Sequence, residues 1–267
     1  MASVFLNIPI LNEVENVQSL VRRLEDQLDG YDYLILLIDD GSTDGTLDKI
    51  ALLVEANKRI RVLHRKKMRA GCQRGGALFE GMMWGLAHSS STFFIEMDGD
   101  LSHRPEELST GLSMLQSRAA EMVIASKYLP QGRTVDRPIG RRAVSAICNF
   151  SVRSLISRRV TDYSNGYRFY TRSVAGLLAS YSFKYTSPIY LTEVIAILLR
   201  NRTRIGEFPT TYVGRNEGFS KLRFIDLAKA SLAIFEIALR YYLFGFHRVE
   251  RMVEVAERPE PKPMESR

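Results

Sequence analysis

Phe93-Phe94-Ile95-Glu96-Met97-Asp98-Gly99-Asp100-Leu101-Ser102-His103-Arg104-Pro105 is an apolar run that stops abruptly at two acids one residue apart. Phe93, Phe94, Ile95 and Met97 read as a short buried strand, with Asp98-Gly99-Asp100 where it leaves the sheet. In open α/β sheets ligands collect beyond the carboxyl ends of the strands, so carboxylates there face a ligand rather than the core. Gly99 lets the chain turn tightly, and the acids on either side of it can converge on one hard cation. Mg2+ or Mn2+ fits such a pair, because these ions complete their shell with water and substrate phosphates. The same residues also describe a strand ending in a solvated Asp-Gly turn.

Upstream, strands and helices alternate. Strands are expected at 4–8, 33–38 and 60–63, and helices at 14–28, 47–56 and 76–88. Downstream come a helix over 106–118 opened by Pro105, a strand over 122–126, a long glycine- and proline-containing connection over 127–140, and a helix over 142–156. An aromatic strand follows Asp162–Arg168. After it come a helix capped by Ser173, another over 189–199, an edge strand over 204–208 and a last helix over 222–246. This order predicts an α/β fold with a mainly parallel sheet and helices on both faces. The 267 residues suffice for one large domain or two small ones; one spanning 1–246 is favoured.

The net charge of +7 is concentrated in two clusters. One runs from Lys58 to Arg74 without an acid; the other, from Lys127 to Arg159, is opposed only by Asp136. Such loops suit nucleotide phosphates, nucleic acid or an anionic membrane, and equally a solvated surface. Cys72 and Cys148 have no metal-ligand spacing and read as reduced thiols. The chain opens Met-Ala-Ser and enters a strand directly, so a cytosolic location is expected. In the last helix Asp226, Lys229, Glu236 and Arg240 form a charged stripe amid apolar residues, too interrupted to span a bilayer. It suits packing on the domain, a membrane surface or a membrane subunit. The charged, proline-containing tail over 247–267 is expected to be disordered. Gly71–Leu78 lacks the Lys and Ser/Thr of a phosphate loop, and His103 has no partner at metal-ligand spacing.

Taken together, Ile8–Glu13, Asp39–Thr46, Met97–His103, Asp162–Arg168 and Gly218–Leu222 resemble, in order and spacing, the family 2 glycosyltransferases of GT-A fold. Within that family the pattern is most similar to the dolichol-phosphate and polyprenyl-phosphate mannosyltransferases, over residues 4–246. The resemblance implies a donor half over about 1–126 and an acceptor half over about 127–246. Pro9, Asn12, Glu13 and Asp40 would surround the nucleoside of a sugar nucleotide. Asp98 and Asp100 would hold Mg2+ or Mn2+ on its diphosphate, with Ser102 near the third position. Arg215 and Lys221 would close over the diphosphate as charge builds, and with Asp100 would form the catalytic set. Asp162, Ser164 and Arg168 correspond to the acceptor motif, and Arg141 and Arg142 of the basic loop would meet the lipid phosphate.

The implied reaction is metal-dependent, inverting transfer of a hexose, mannose from GDP-mannose in the first instance, to a polyprenyl phosphate at the cytosolic membrane face. A UDP-sugar donor and a soluble or glycan acceptor are the rival enzymatic readings. Trp84, the single tryptophan, lies outside any Gln-x-x-Arg-Trp motif of the processive synthases. A non-catalytic basic protein on nucleic acid or anionic membrane is the alternative of another class; the transferase reading needs no nucleic acid. Leu11 stands where the family has a tyrosine, which leaves the base open, and Ala146 stands where an arginine is common. Gly99 replaces the commoner alanine, an exchange expected to be neutral.

Overall fold

The structure is a computed structural model that describes residues 2–65, 74–214 and 224–249. Its main sheet is built from β1 (Ser3–Ile10), β2 (Asp32–Asp39), β3 (Ile60–His64), β4 (Phe93–Glu96), β5 (Met122–Ser126), β7 (Arg168–Thr171) and β8 (Ile205–Pro209), in the order β3-β2-β1-β4-β7-β5-β8. A small parallel pair, β6 (Arg133–Val135) with β9 (Thr211–Val213), stands apart. The expected connection over 127–140 therefore contains a strand of its own.

Alternation along β1 explains the two layers. Val4, Leu6, Ile8 and Ile10 pack on one face with α1 (Val17–Gln27), α2 (Thr46–Ala56) and α4 (Leu108–Gln116). Phe5 points to the other face, which is covered by α3 (Arg74–His88), α5 (Ile139–Leu155), α6 (Arg172–Ala179), α7 (Tyr190–Arg200) and α8 (Phe224–Leu239). A strand buried on both sides reads as a continuous apolar run, which is why β1 and β2 are recognisable. Asn7 interrupts that run, and its amide donates to the Leu78 carbonyl at 2.6 Å.

Only β7 runs against its neighbours: it pairs antiparallel with β4 and with β5. Its first residue, Arg168, therefore lies opposite Glu96, at the edge where β4 ends. Residues 162–167, which precede β7, are thus delivered to the same edge as Asp98. The ends of β5 and β8 arrive there too, since Ser126 pairs with Pro209.

Local corrections have local causes. Thr171, not Ser173, caps α6, its side chain accepting from the Val174 N–H. Pro105–Glu107 form a 3-10 turn before α4, which ends at Gln116. The beginning of the tail is ordered: the Val249 N–H donates to Ser180 O (2.8 Å), and Arg248 donates to the Tyr181 hydroxyl and to Asn201. No helix among the described residues is long and apolar enough to cross a membrane.

Candidate active site

At the edge where β1, β2 and β4 end, the loops are folded by their own acids. Asp39 accepts from the N–H groups of Gly41 and Ser42, each at 3.0 Å. Asn12, at φ 55°, donates its N–H to Ser42 Oγ and accepts from the Thr43 N–H, tying the β1 loop to the β2 loop. Glu13 is buried, with its N–H on Thr46 Oγ1 and its carboxylate taking the Asn16 amide. Asp40 forms an ion pair with Arg65, which also reaches Glu80 at 2.9 Å. Pro9 lies under the Asp98 turn: a Cβ on Gly99 would stand 3.0 Å from Pro9 O and 2.4 Å from Ile10 Cδ1. A side chain at 99 would therefore make the Ile10 side chain shift and press on the Pro9 carbonyl.

Asp98 and Asp100 both lie near enough to His103 and Tyr212 to act on them electrostatically. Asp98 Oδ1 lies 2.5 Å from Arg74 Nη2, and its Oδ2 lies 3.7 Å from His103 Nε2. The His103 Nδ1 accepts from the Asp98 N–H at 3.0 Å, so the neutral ring carries its proton on Nε2. Burial pushes His103 below its ordinary value, Asp98 opposing, and the ring stacks on Tyr167 at 5.2 Å. Asp100 takes the Ser102 N–H at 3.0 Å.

The donor set around these acids is hard oxygen, as Mg2+ or Mn2+ requires. The buried Ser102 Oγ and His103 Nε2 have no hydrogen bond of good geometry among the described residues, although Tyr212 and Asn165 are near enough to perturb them. Buried polar groups left in this state need a partner. Among the described residues no three His, Cys, Asp or Glu side chains converge, so two carboxylates and Ser102 would leave the remaining positions to phosphate and water. The residues fit a diphosphate-bound ion.

Beside this turn the residues expected to face an acceptor divide into two groups. Arg168 is 0% exposed, and its guanidinium donates to the carbonyls of Asn165, Leu191 and Tyr163. It is a bolt inside the fold and cannot meet a ligand, contrary to expectation. Asp162 is equally buried; it accepts from the N–H groups of Ser164 and Asn165 and pairs with Lys127 Nζ at 3.0 Å. Burial works against its charge, but Lys127 and these donors prevail and hold its carboxyl below the usual range. Asp162 therefore aims Lys127, which also donates to Ser164 Oγ at 2.8 Å.

Lys127 lines a cavity of about 560 Å3 together with Tyr128, Arg133, Thr134, Arg137, Ile139, Arg142, Ser145 and Ala146, with no acid among the described lining residues. Of the two arginines expected to meet the lipid phosphate, Arg142 lines this cavity. The Arg141 side chain, and Arg215 and Lys221 entirely, lie outside the described residues. Tyr212, on β9, separates the cavity from the acidic turn: its ring lies 5.5 Å from Arg137 and 5.8 Å from His103, and Asp98 and Asp100 add to burial in raising its hydroxyl. Lys127, Arg133, Arg137 and Tyr212 were visible in sequence only as members of a basic loop and a short strand. Arg74 and Arg65 carried no signal beyond the first basic cluster.

Residues 6–177 match the family described as glycosyl transferase family 2. The undecaprenyl-phosphate mannosyltransferase of Micrococcus luteus is 34% identical over 218 residues, covering 80% of this chain and 85% of that protein. The polyprenol monophosphomannose synthase of Mycolicibacterium smegmatis is 32% identical over 236 residues, covering 87% and 86%. Among solved structures, glucosyl-3-phosphoglycerate synthase from Mycobacterium tuberculosis in complex with UDP superposes with a TM-score of 0.59 at 17% identity, covering 93% of this chain and 87% of that one. The same enzyme with Mn2+ and UDP-glucose gives 0.58, covering 90% and 78%. The shared architecture is the GT-A arrangement of a mostly parallel sheet between helices, and with the sequence match it makes this chain a glycosyltransferase, a member of glycosyl transferase family 2.

Proposed function

We propose that this chain transfers a hexose, mannose from GDP-mannose, to a polyprenyl phosphate, with inversion, at the cytosolic surface of a membrane. The observation that carries the reading is a basic cavity, with no acid among its described lining residues, across one tyrosine ring from the Asp98–Asp100 turn. A cavity of four cations beside an acidic, metal-suited turn is what a reaction between an anionic acceptor and a metal-bound diphosphate needs. The mannosyltransferase relatives, whose names specify undecaprenyl phosphate and polyprenol monophosphomannose, support the same acceptor.

In this reading the donor half ends at Ser126 and the acceptor half begins at Lys127. Pro9, Asn12, Glu13 and Asp40 shape the nucleoside end, and Asp98, Asp100 and Ser102 hold the divalent ion, which supplies positive charge against the departing diphosphate. Arg215 and Lys221 are assigned to the same leaving group. Lys127, Arg137 and Arg142 hold the acceptor phosphate. One of its oxygens attacks the anomeric carbon from the face opposite the diphosphate; the new C–O bond forms as the old one breaks, and the diphosphate leaves with the electron pair. A phosphate monoester, with a second pKa of about 6, is already ionised at neutral pH, so positioning replaces a general base. Among the described residues, neither an acid nor a histidine lines the cavity, which agrees with this.

Attachment to the bilayer is assigned to exposed apolar side chains of α5 and of the C-terminal helical segment. Ile139 is 82% exposed, Phe150 69% and Phe244 77%, with Ile147, Leu232, Phe235 and Leu243 also open. Exposed apolar groups on this scale mark interaction surfaces, and one of them, Ile139, lines the cavity that would take a lipid headgroup.

A UDP-sugar is the second donor reading. Leu11, 51% exposed at the nucleoside end, offers no polar group to distinguish the bases. The test is thermal stability of the purified protein with GDP-mannose, UDP-glucose, GDP and UDP, each with Mn2+ and with EDTA. A ligand that binds only the folded state raises the melting temperature. A metal-dependent rise with GDP and GDP-mannose is expected; a rise confined to the uridine compounds overturns the donor, and no rise with any overturns the donor site.

A further inference from the structure

Arg74 plays no part in the reaction outlined above, yet it is built into the site. It is the first residue of α3, and the next residue, Gly75, fixes that helix end by donating its N–H to Thr186 O at 3.0 Å. Its guanidinium lies with Nη2 2.5 Å from Asp98 Oδ1, while the Asp98 side chain is 16% exposed. Gly166, in the loop before β7, provides the seat: a Cβ there would stand 1.9 Å from Arg74 Nη2 and 2.7 Å from its Cζ. The buried Nε and Nη2 find no acceptor in hydrogen-bond alignment among the described residues, so charge rather than a directional bond keeps the group beside Asp98.

A divalent ion and a guanidinium cannot share one carboxylate without strong repulsion. We infer that Arg74 is the resident counter-ion of Asp98, which excludes a bare divalent cation from the turn and yields only to a cation that arrives with a nucleoside diphosphate. The diphosphate supplies the negative charge that a second cation at Asp98 requires, and gives the displaced guanidinium an anion to follow. The consequence is selectivity: metal and donor enter as one unit, and free cytosolic metal does not occupy the site ahead of the sugar nucleotide. The inference rests on the proposed donor site at Asp98 and Asp100 and adds a residue that decides what may enter it.

The test is Mn2+ binding to the whole protein, followed by the electron paramagnetic resonance signal of the free ion, with and without GDP or UDP. Three proteins are compared: wild type, Arg74→Gln, and Gly166→Ala, which keeps the arginine but fills its seat. Without nucleotide, both variants should bind Mn2+ about tenfold more tightly than wild type. With nucleotide the gap should close. Equal or weaker binding of the bare ion by Arg74→Gln overturns the inference, whatever Gly166→Ala does; tighter binding by both variants supports it, the Gly166→Ala result showing that displacing an intact charge is enough. If the variants take up the bare ion but wild type takes up none even with GDP or UDP, Arg74 blocks the ion outright, and the idea of an exchange with the diphosphate is overturned. If none of the three binds Mn2+ with either nucleotide, the donor-site reading fails first.

Discussion

The two sides of the candidate site are organised by opposite rules. On the donor side, acids are matched one by one: Asp98 by Arg74, Asp40 by Arg65, Asp39 by the turn it folds. On the acceptor side, Lys127, Arg133, Arg137 and Arg142 face a cavity with no acid among its described lining residues, and Asp162, which pairs with Lys127, is buried. A compensated site accepts a ligand that brings its own balanced charge, whereas an uncompensated one draws an anion. The difference separates a metal-bound sugar diphosphate from a phosphate monoester, on either side of Tyr212.

The largest effect that would break this contrast is on the donor side. Asp98→Asn or Asp100→Asn should reduce kcat by about a thousandfold, the scale of losing a major electrostatic contribution to the transition state, while circular dichroism stays unchanged. Full activity in both would remove the metal from the account. On the acceptor side the first effect is on stability. Asp162→Ala leaves Lys127 buried without its partner and should cost about 3–5 kcal/mol in denaturant unfolding. The pH dependence follows in sign: Asp162 sits below its ordinary value when folded, so its stabilisation is present above the unfolded-state value of about 3.9 and is lost as pH falls through the lower folded value. The variant should therefore lose less stability on acidification than wild type does; an unchanged acid limb would contradict the pairing.

Much of the donor side was legible in the sequence because its residues follow largely apolar strands, broken only by single polar residues such as Asn7 and Glu96. Asp39 and Asp98 each close such a run, with Asp100 two residues further on, and a run's end fixes its ligand edge. Arg74 and Arg65 were not legible, since their partners lie on other loops and the pairing depends on how α3 and β3 meet the sheet. Arg168 was misread for a physical reason: an arginine in a polar motif suggests a ligand, but five donors can be satisfied by three main-chain carbonyls as well as by a phosphate. The direction of β7 is also absent from composition, although it is what carries Asp162 and Ser164 to the edge where Asp98 stands.

The last helix shows the same limit in another form. Its charged stripe is turned partly inward: Glu236 pairs with Lys184 at 2.6 Å and Arg240 with the buried Glu193 at 2.6 Å, whereas Leu232 and Phe235 are exposed. Hydrophobic periodicity assumes that charge marks the solvent side. Here buried Glu193 holds Arg240, so charged positions help to anchor the helix while apolar ones are left outside.

Two smaller effects sharpen the comparison. Arg137→Ala should raise KM for the polyprenyl phosphate about tenfold, the loss of one charge-assisted contact, with KM for the sugar nucleotide unchanged. Equal rises in both would merge the two sides into one anion site. Phe150→Ser and Phe244→Ser should weaken binding to phosphatidylglycerol vesicles about threefold to tenfold each and leave melting temperature and transfer to a short, water-soluble polyprenyl phosphate unaltered. Undiminished vesicle binding in the double variant would place the lipid contact elsewhere.

The most direct test of the whole account is a transfer assay read by mass spectrometry and proton NMR. Purified protein is given GDP-mannose and Mn2+ with either undecaprenyl phosphate or undecaprenol. The account predicts a mannosyl phospholipid with inverted anomeric configuration from the phosphate, and none from the alcohol or in EDTA. Equal transfer to the alcohol, or a product that retains the donor configuration, would contradict it.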